Sequence, residues 1–304
     1  MGGNPATVST RREFLGTVGA GLSMLSSVSA QPAAAGYSLT VLATNWGFSG
    51  SWDEFARRAA ADGYDGVEVW VMADARDRAD FLGAMERHRL KFGLLCGGSD
   101  SNPEKHLAQF RQAIDLALAM KPLYINCHSG RDHFNFAENR TFIDYGHQAS
   151  RGTGIPVYHE THRGRIMYSA PVARSFMEAI PELRLTLDIS HWCNVHESLL
   201  NDQTSTVNLA LERAGHIHAR IGHAEGPQVS DPRAPEWESA VKAHLSWWDQ
   251  IVARKKKNGE PVTFLTEFGP ADYMPAIPYT RQPLANQWEI NVYMKDLIRK
   301  RYQG

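Results

Sequence analysis

Cysteine is scarce in this chain of 304 residues, which carries only Cys96, Cys127 and Cys193. An odd number without zinc-ribbon spacing argues against a disulfide framework or a structural zinc site, so each is read as a small buried apolar side chain. Long apolar runs are also missing. The stretch from Phe14 to Val28 is short and diluted by Gly, Ser and Ala, and no stable membrane anchor is expected. Neither charge sign is in excess: 32 Lys and Arg face 33 Asp and Glu, a formal net charge of -1. That leaves no general basic field for nucleic acid. No glycine-rich phosphate fingerprint supports an open doubly wound sheet, and no Gly-x-Ser-x-Gly elbow supports a serine hydrolase. Lys91 and Lys121 fall at or before strand starts, which disfavours a Schiff-base aldolase.

What is present begins at the N-terminus. Ser9-Thr10-Arg11-Arg12-Glu13-Phe14-Leu15 has the paired arginines and following apolar residues of a twin-arginine export signal. Val28-Ser29-Ala30 offers a small-residue cleavage site, and Ala33-Ala34-Ala35 a later one. The expectation is a signal over residues 1–30, with cleavage as late as 35, and a periplasmic or otherwise exported protein handled by the twin-arginine machinery. Export of a folded chain suits a protein that loads a metal in the cytoplasm and keeps its thiols unpaired.

Beyond the signal, short β-branched or apolar runs alternate with helical stretches, the pattern of βα units and a parallel sheet. Eight strands are expected: Leu39–Trp46, Gly66–Trp70, Lys91–Gly97, Leu123–His128, Pro156–His162, Arg184–Ser190, His216–Ile221 and Thr263–Phe268. Ser51 and Glu54 form a capping box, Asp62-Gly63 a helix stop, and Asn102-Pro103 and Pro171 mark further helix starts. Eight ordered units with no interdomain linker predict an α/β fold, a single (β/α)8 TIM barrel over residues 37–304, with an open doubly wound sheet as the runner-up.

In such a barrel the C-terminal ends of the strands build the active site. Here they are crowded with metal-ligand types. Side-chain alternation puts Tyr158, Glu160 and His162 on one face of the fifth strand, and His216, His218 and Arg220 on one face of the seventh. Four consecutive strands can therefore aim Glu160, Asp188, His218 and Glu267 at one point. Alone, each residue has an ordinary structural use, such as a helix cap or packing. Together, three carboxylates aimed at one spot repel strongly without a cation. Their oxygen-rich set suits one divalent ion, Mn²⁺ first, with Mg²⁺, Co²⁺ or Zn²⁺ also compatible.

These residues carry a resemblance. Gly63-Tyr64-Asp65-Gly66-Val67-Glu68, the Glu160 strand, Asp188-x-x-His191, His216-x-His218 and the Glu267 strand resemble the xylose-isomerase-like barrels, the sugar phosphate isomerase/epimerase superfamily. The resemblance runs from about Leu39 to Tyr302. It implies that Glu160, Asp188, His218 and Glu267 hold the metal and that His191 contacts substrate, as in the keto-sugar 3-epimerase branch. The chain departs from that branch at Ala224, where a substrate-binding arginine is expected, and at Ile166, where a second glutamate is expected.

The chemistry implied is enediolate formation. A metal chelated by a carbonyl and its neighbouring hydroxyl acidifies the adjacent C–H, and a carboxylate takes the proton. Glu160 and Glu267 are the catalytic acid–base pair expected of an isomerase or epimerase acting on a small carbohydrate. A lyase or hydrolase on 3-keto-glycosides is the alternative, a non-catalytic sugar-binding barrel the second, and an endonuclease-like repair enzyme of the same fold is disfavoured by charge and export. Further candidate substrate contacts are His128, Arg220, Arg163, His223 and Glu68. Glu68 reads equally as a supporting group, and Arg163, Arg165 and Arg220 equally as neutralising partners of the acidic site. Trp46, Tyr273 and Tyr279 are candidates for an aromatic wall. Trp247 and Trp248 read as packing. A homo-oligomer is compatible with the sequence.

Overall fold

A computed structural model describes residues 36–303; the export signal expected over residues 1–30 lies outside the described residues. In chain order the elements are β1 (Leu39–Thr44), α1 (Trp52–Ala61), β2 (Gly66–Trp70), α2 (Ala75–His88), β3 (Lys91–Gly97), α3 (Pro103–Met120), β4 (Ile125–His128), α4 (Phe136–Thr153), β5 (Val157–Glu160), α5 (Ala170–Ala179), β6 (Leu185–Leu187), α6 (Ser190–Val195), α7 (Thr204–Arg213), β7 (Ala214–Ala219), α8 (Glu238–Asn258), β8 (Val262–Thr266) and α9 (Gln287–Tyr302). All eight strands are parallel, and β1 pairs with both β2 and β8, so the sheet closes into a (β/α)8 barrel. No helix among the described residues is long and apolar enough to cross a membrane.

The helix starts follow the sequence signals. Ser51 accepts from the Glu54 amide while Glu54 reaches back to the Ser51 amide, which closes the capping box of α1. Asn102 caps α3 ahead of Pro103, and Pro171 sits in the first turn of α5.

Side-chain alternation divides the apolar residues into two sets. In β1, Val41 and Ala43 join the large core between barrel and helices, together with Cys96, Cys127, Cys193, Trp247 and Trp248. Leu42 faces the other way. With Tyr124, Leu265 and Tyr158 it forms a separate small cluster inside the barrel. Two glycines make room for those phenol rings. A Cβ on Gly93 would meet Tyr124 at 2.5 Å, and one on Gly215 would meet Tyr158 at 2.2 Å. The plug leaves the interior polar groups facing the other end of the barrel.

The expected strands are found with shifted ends. The ladders of β1, β5, β6 and β8 stop two to three residues earlier than the apolar runs suggest. Asp188 and Glu267 therefore sit one residue past the last paired position, where the chain turns off the sheet and the side chain is no longer bound to alternation. After β6 the backbone enters α6 at once, and the Ser190 amide donates to Asp188 Oδ1 at 3.1 Å. β7 begins at Ala214 because α7 runs straight into it.

One buried contact fixes the start of the loop after β7. The Gly222 amide donates to His244 Nε2 at 3.2 Å, while His244 Nδ1 donates to the Ala240 carbonyl at 2.8 Å. Both ring nitrogens are used by a neutral imidazole, and burial pushes its pKa down to about 4. The unfolded chain, with an ordinary histidine value near 6.5, takes the proton first as pH falls. Stability is thus complete above about 6.5 and is lost as pH drops from there towards about 4, by up to about 3 kcal/mol from this residue. Urea midpoints of the wild type and His244→Gln, taken at about pH 7.5 and about pH 4.5, should show a smaller acid loss in the variant. Equal losses would refute this account.

Candidate metal and sugar site

The polar interior is built in depth. Above the plug, Glu68 of β2 is the hub. It accepts from the Tyr124 hydroxyl at 2.7 Å and lies 3.2 Å from His216 Nε2 and 3.2 Å from His218 Nε2. Asn126 of β4 donates through Nδ2 to Glu160 Oε2 at 2.7 Å and also approaches Glu68 and His218. Glu68 and Asn126 so hold the rear of His218 and one oxygen of Glu160. That leaves His218 Nδ1 and Glu160 Oε1 pointing away from their supports.

Those two atoms converge with Asp188 and Glu267: one ligand atom from each of the four residues lies within 4.8 Å of the others. Glu160, Asp188 and His218 are buried, and Glu267 is nearly so. Glu160 Oε1, His218 Nδ1 and Glu267 Oε2 have no hydrogen-bond partner. His218 Nδ1 and Glu267 Oε2 come within 2.7 Å, yet their angles do not make a hydrogen bond. Buried polar atoms without partners are rare. Three of them aimed at one point fit a divalent cation, and three carboxylate oxygens with one imidazole nitrogen form a mostly hard donor set.

Electrostatics agree with this. Burial would raise Glu160, but His128 and His218 hold its carboxyl well below the usual carboxylate range. Glu68 is lowered in the same way, burial being outweighed by His218 and His216. Burial, helped by Glu267 and Glu160, pushes Asp188 up to about 6 in spite of Arg220. His218 is raised far above an ordinary imidazole: burial opposes its charge, and the Glu267, Glu160 and Glu68 carboxylates prevail. Arg220, itself buried, bonds Asp188 through Nη2 and lies 3.5 Å from Glu267. The same Nη2 donates to His191 Nε2 at 2.9 Å.

A cavity of about 440 Å³ opens beside this centre, lined by residues that include Trp46, Glu68, Trp70, His128, His162, Arg220, Glu267 and Tyr273. His128 Nε2 stands 3.1 Å from Glu160 Oε2. The rings of His128, His162 and His191 follow one another, with centroids 4.4 and 3.9 Å apart. Arg163 lies over Tyr273 at 4.9 Å and bonds Asn194. Burial and neighbouring cations keep His162 and His191 well below the usual histidine value, so both are neutral.

Most of the residues singled out from sequence are brought together here; three are placed elsewhere. His223 forms a small bridge with Gly226 and packs on Trp237 at 4.7 Å, away from the cavity lining. Tyr279 is fully exposed, because the loop after β8 folds into a bridge between Ala276 and Pro283 that turns its tip outwards. Arg165 reaches the Gly98 carbonyl at 3.4 Å. Asn126, Tyr124 and Ser190 were given no role from sequence. Asn126 precedes His128 by two residues on β4 and so shares its face, which is the one signal that could have found it.

A family model described as xylose isomerase-like TIM barrel matches residues 56–230. The chain belongs to this family. A search of curated proteins found no match. Among solved structures, the barrel is similar to an apo 3-keto-D-glucoside 4-epimerase, YcjR, from E. coli, with TM-score 0.60 and 14% identity over 86% of this chain and 100% of that one. It is also similar to a D-tagatose 3-epimerase-like protein, with TM-score 0.56 and 13% identity over 88% and 97%. A third is the probable 3-DHS dehydratase AsbF of Bacillus anthracis, with TM-score 0.54 and 16% identity over 86% and 98%. At these identities the likeness is one of fold.

Within this xylose isomerase-like barrel, Arg220 is the buried cation that balances Asp188 and Glu267. Removing one partner of a buried ion pair leaves an uncompensated charge and costs about 3–5 kcal/mol. Arg220→Met, denatured chemically in the presence of a chelator, should lose stability on that scale. A loss below about 1 kcal/mol, as for an exposed pair, would refute the role.

Proposed function

We propose that this protein is a divalent-metal-dependent sugar isomerase or epimerase that works through an enediolate, with Glu160 and Glu267 as its acid–base pair. The observation that carries the reading is the convergence of Glu160, Asp188, His218 and Glu267, three of which present buried atoms without partners. The ion is Mn²⁺ by preference, with Mg²⁺, Co²⁺ and Zn²⁺ compatible with the same donors. When bound, it supplies a Lewis acid for a carbonyl and its neighbouring hydroxyl.

The remaining work falls to the protein. Glu267 lines the cavity and can meet substrate from the β8 side. Glu160 is presented from β5, with one oxygen fixed by Asn126 and within 3.1 Å of His128 Nε2. His128 can therefore pass a proton between Glu160 and the cavity. His162 Nδ1 donates to the Arg163 carbonyl at 2.6 Å, which leaves its Nε2 as an acceptor for a sugar hydroxyl. The plug behind the site keeps water from the rear, so proton exchange runs through the substrate side.

The substrate class is a small carbohydrate bearing a carbonyl, in line with structural neighbours that include a keto-glucoside epimerase and a tagatose-epimerase-like protein. The paired arginines at positions 11 and 12 support action in an exported compartment. Loss of a leaving group from the carbon beyond the enediolate would make the same machinery a lyase on 3-keto-glycosides.

Two measurements test the reading. Mn²⁺-loaded protein should exchange the C–H proton beside the carbonyl of a ketose or 3-keto-glycoside for deuterium, read by NMR, and Glu160→Gln should abolish that exchange; exchange that survives in the variant would remove Glu160 from the role. Asn126→Ala, which frees Glu160 and the rear of His218, should weaken Mn²⁺ binding in calorimetry on the order of 10–100-fold. Unchanged affinity would show that Asn126 does not orient the ligands.

A further inference from the structure

The cavity has two chemically distinct halves. The part lined from β4 to β8 and the loops that follow them carries the charged groups Arg220 and Glu267, beside His128, His162, Leu265 and Tyr273. The part lined from β1 to β3 is Thr44, Asn45, Trp46, Gly47, Glu68, Val69, Trp70 and Leu95. Its one charged group, Glu68, is nearly fully buried, and both its oxygens are taken up by Tyr124, Asn126 and the two histidines. Beside the uncharged Thr44 and Asn45, what this half shows to a ligand is apolar and aromatic, chiefly Trp46, Val69, Trp70 and Leu95.

Trp70 is the unusual member. It ends β2 in register with Leu95 of β3, yet the residue is 50% exposed. Its edge is fixed against His128, with ring centroids 5.2 Å apart at 87°. A tryptophan held in place beside the ionic cluster and left half open to the cavity offers a flat apolar surface with no partner of its own. A free monosaccharide has hydroxyls around its whole ring and no use for such a surface beyond one C–H face. A glycoside whose reacting sugar sits against the carboxylates would place its aglycone across the β1–β3 half.

We infer that Trp70 and Leu95 form an aglycone subsite, and that the substrate class is a glycoside carrying a flat apolar group rather than a free ketose. This rests on the proposed sugar site for the position of the reacting ring. It does not depend on which proton is moved.

Binding of unreactive glycosides separates the two. Phenyl β-D-glucoside and methyl β-D-glucoside would be titrated calorimetrically into Mn²⁺-loaded protein. The phenyl glycoside should bind about tenfold more tightly, the scale of one aromatic contact. Trp70→Ala should erase that preference while leaving the methyl glycoside unchanged, and Trp70→Phe should keep most of it. Circular dichroism would confirm that both variants fold. Equal affinity for the two glycosides in the wild type, a preference that survives in Trp70→Ala, or no binding of either glycoside would overturn the subsite. A Trp70-dependent preference without deuterium exchange on any keto-sugar would keep the subsite and sink the isomerase reading. Exchange without the preference would do the reverse.

Discussion

Like charges held out of water are the constraint on which the rest of this site depends. Glu160, Asp188 and Glu267 bring three carboxylates within a few ångströms of one another, and ionised groups are costly to bury unless paired. The protein meets that cost from several strands at once. Arg220, just past the end of β7, compensates Asp188 and Glu267, the surrounding carboxylates raise the pKa of His218, and Asn126 of β4 donates a hydrogen bond to Glu160. Four carboxylates, counting Glu68, crowd the centre, facing Arg220, His218 and the imidazoles of His128 and His216. On the proposed reading, a divalent cation held by Glu160, Asp188, His218 and Glu267 would balance carboxylate charge there and would need His218 as a neutral ligand.

The closed barrel is what makes such an arrangement possible. An open sheet would bring two or three strand ends to a crevice, whereas eight strands around one axis let β2, β4, β5, β6, β7 and β8 address the same few cubic ångströms. The apolar plug of Leu42, Tyr124, Leu265 and Tyr158 fills the interior behind them. Tyr124 belongs to both layers: its ring packs in the plug and its hydroxyl donates to Glu68. The apolar floor and the polar site are therefore mechanically joined through one side chain.

The convergence of Glu160, Asp188, His218 and Glu267 was legible in the sequence because period-two alternation and strand order are local signals, and Glu160, His218 and Arg220 obey them. Asp188 and Glu267 were read as lying within the sixth and eighth strands; the pairing stops one residue before each, and they still join the cluster. The supporting residues were harder. Asn126 and Tyr124 look like ordinary strand residues, and only the packing of β4 against distant β2 and β7 gives them partners. His223 and Tyr279 sit in loops whose direction is set by the small bridges His223–Gly226 and Ala276–Pro283. Those bridges depend on backbone turns that residue type does not announce, so His223 and Tyr279 lie away from the cavity lining where they were expected from sequence, while Glu160, Asp188, His218 and Glu267 converge. The export signal expected over residues 1–30 falls outside the described residues and stays a matter of sequence pattern.

A shared barrel does not transmit a substrate, since fold and site vary separately. In this molecule the separation follows the strand order. The groups that would hold an ion and move a proton come from a contiguous arc, β4 to β8. The surfaces that would face the rest of a ligand come mainly from β1 to β3, joined by Leu265 and Tyr273 from the β8 side, and Glu68 points at His218 rather than at the cavity's open half. On the proposed reading, changes at Trp70 or Leu95 would alter what accompanies the reacting sugar while leaving the strands that carry the carboxylate cluster untouched. Changes on the β4–β8 arc disturb charge balance and stability together. The absence of an arginine at Ala224 and of a glutamate at Ile166, both expected from the keto-sugar 3-epimerases, belongs to this second kind. Ile166 is instead buried in the core, and Arg220, four residues before Ala224, is bonded to Asp188. On the proposed reading, an arginine committed to a buried carboxylate would have fewer donors left for a free ketose, and recognition would rest more on the imidazole row and the aromatic half of the cavity.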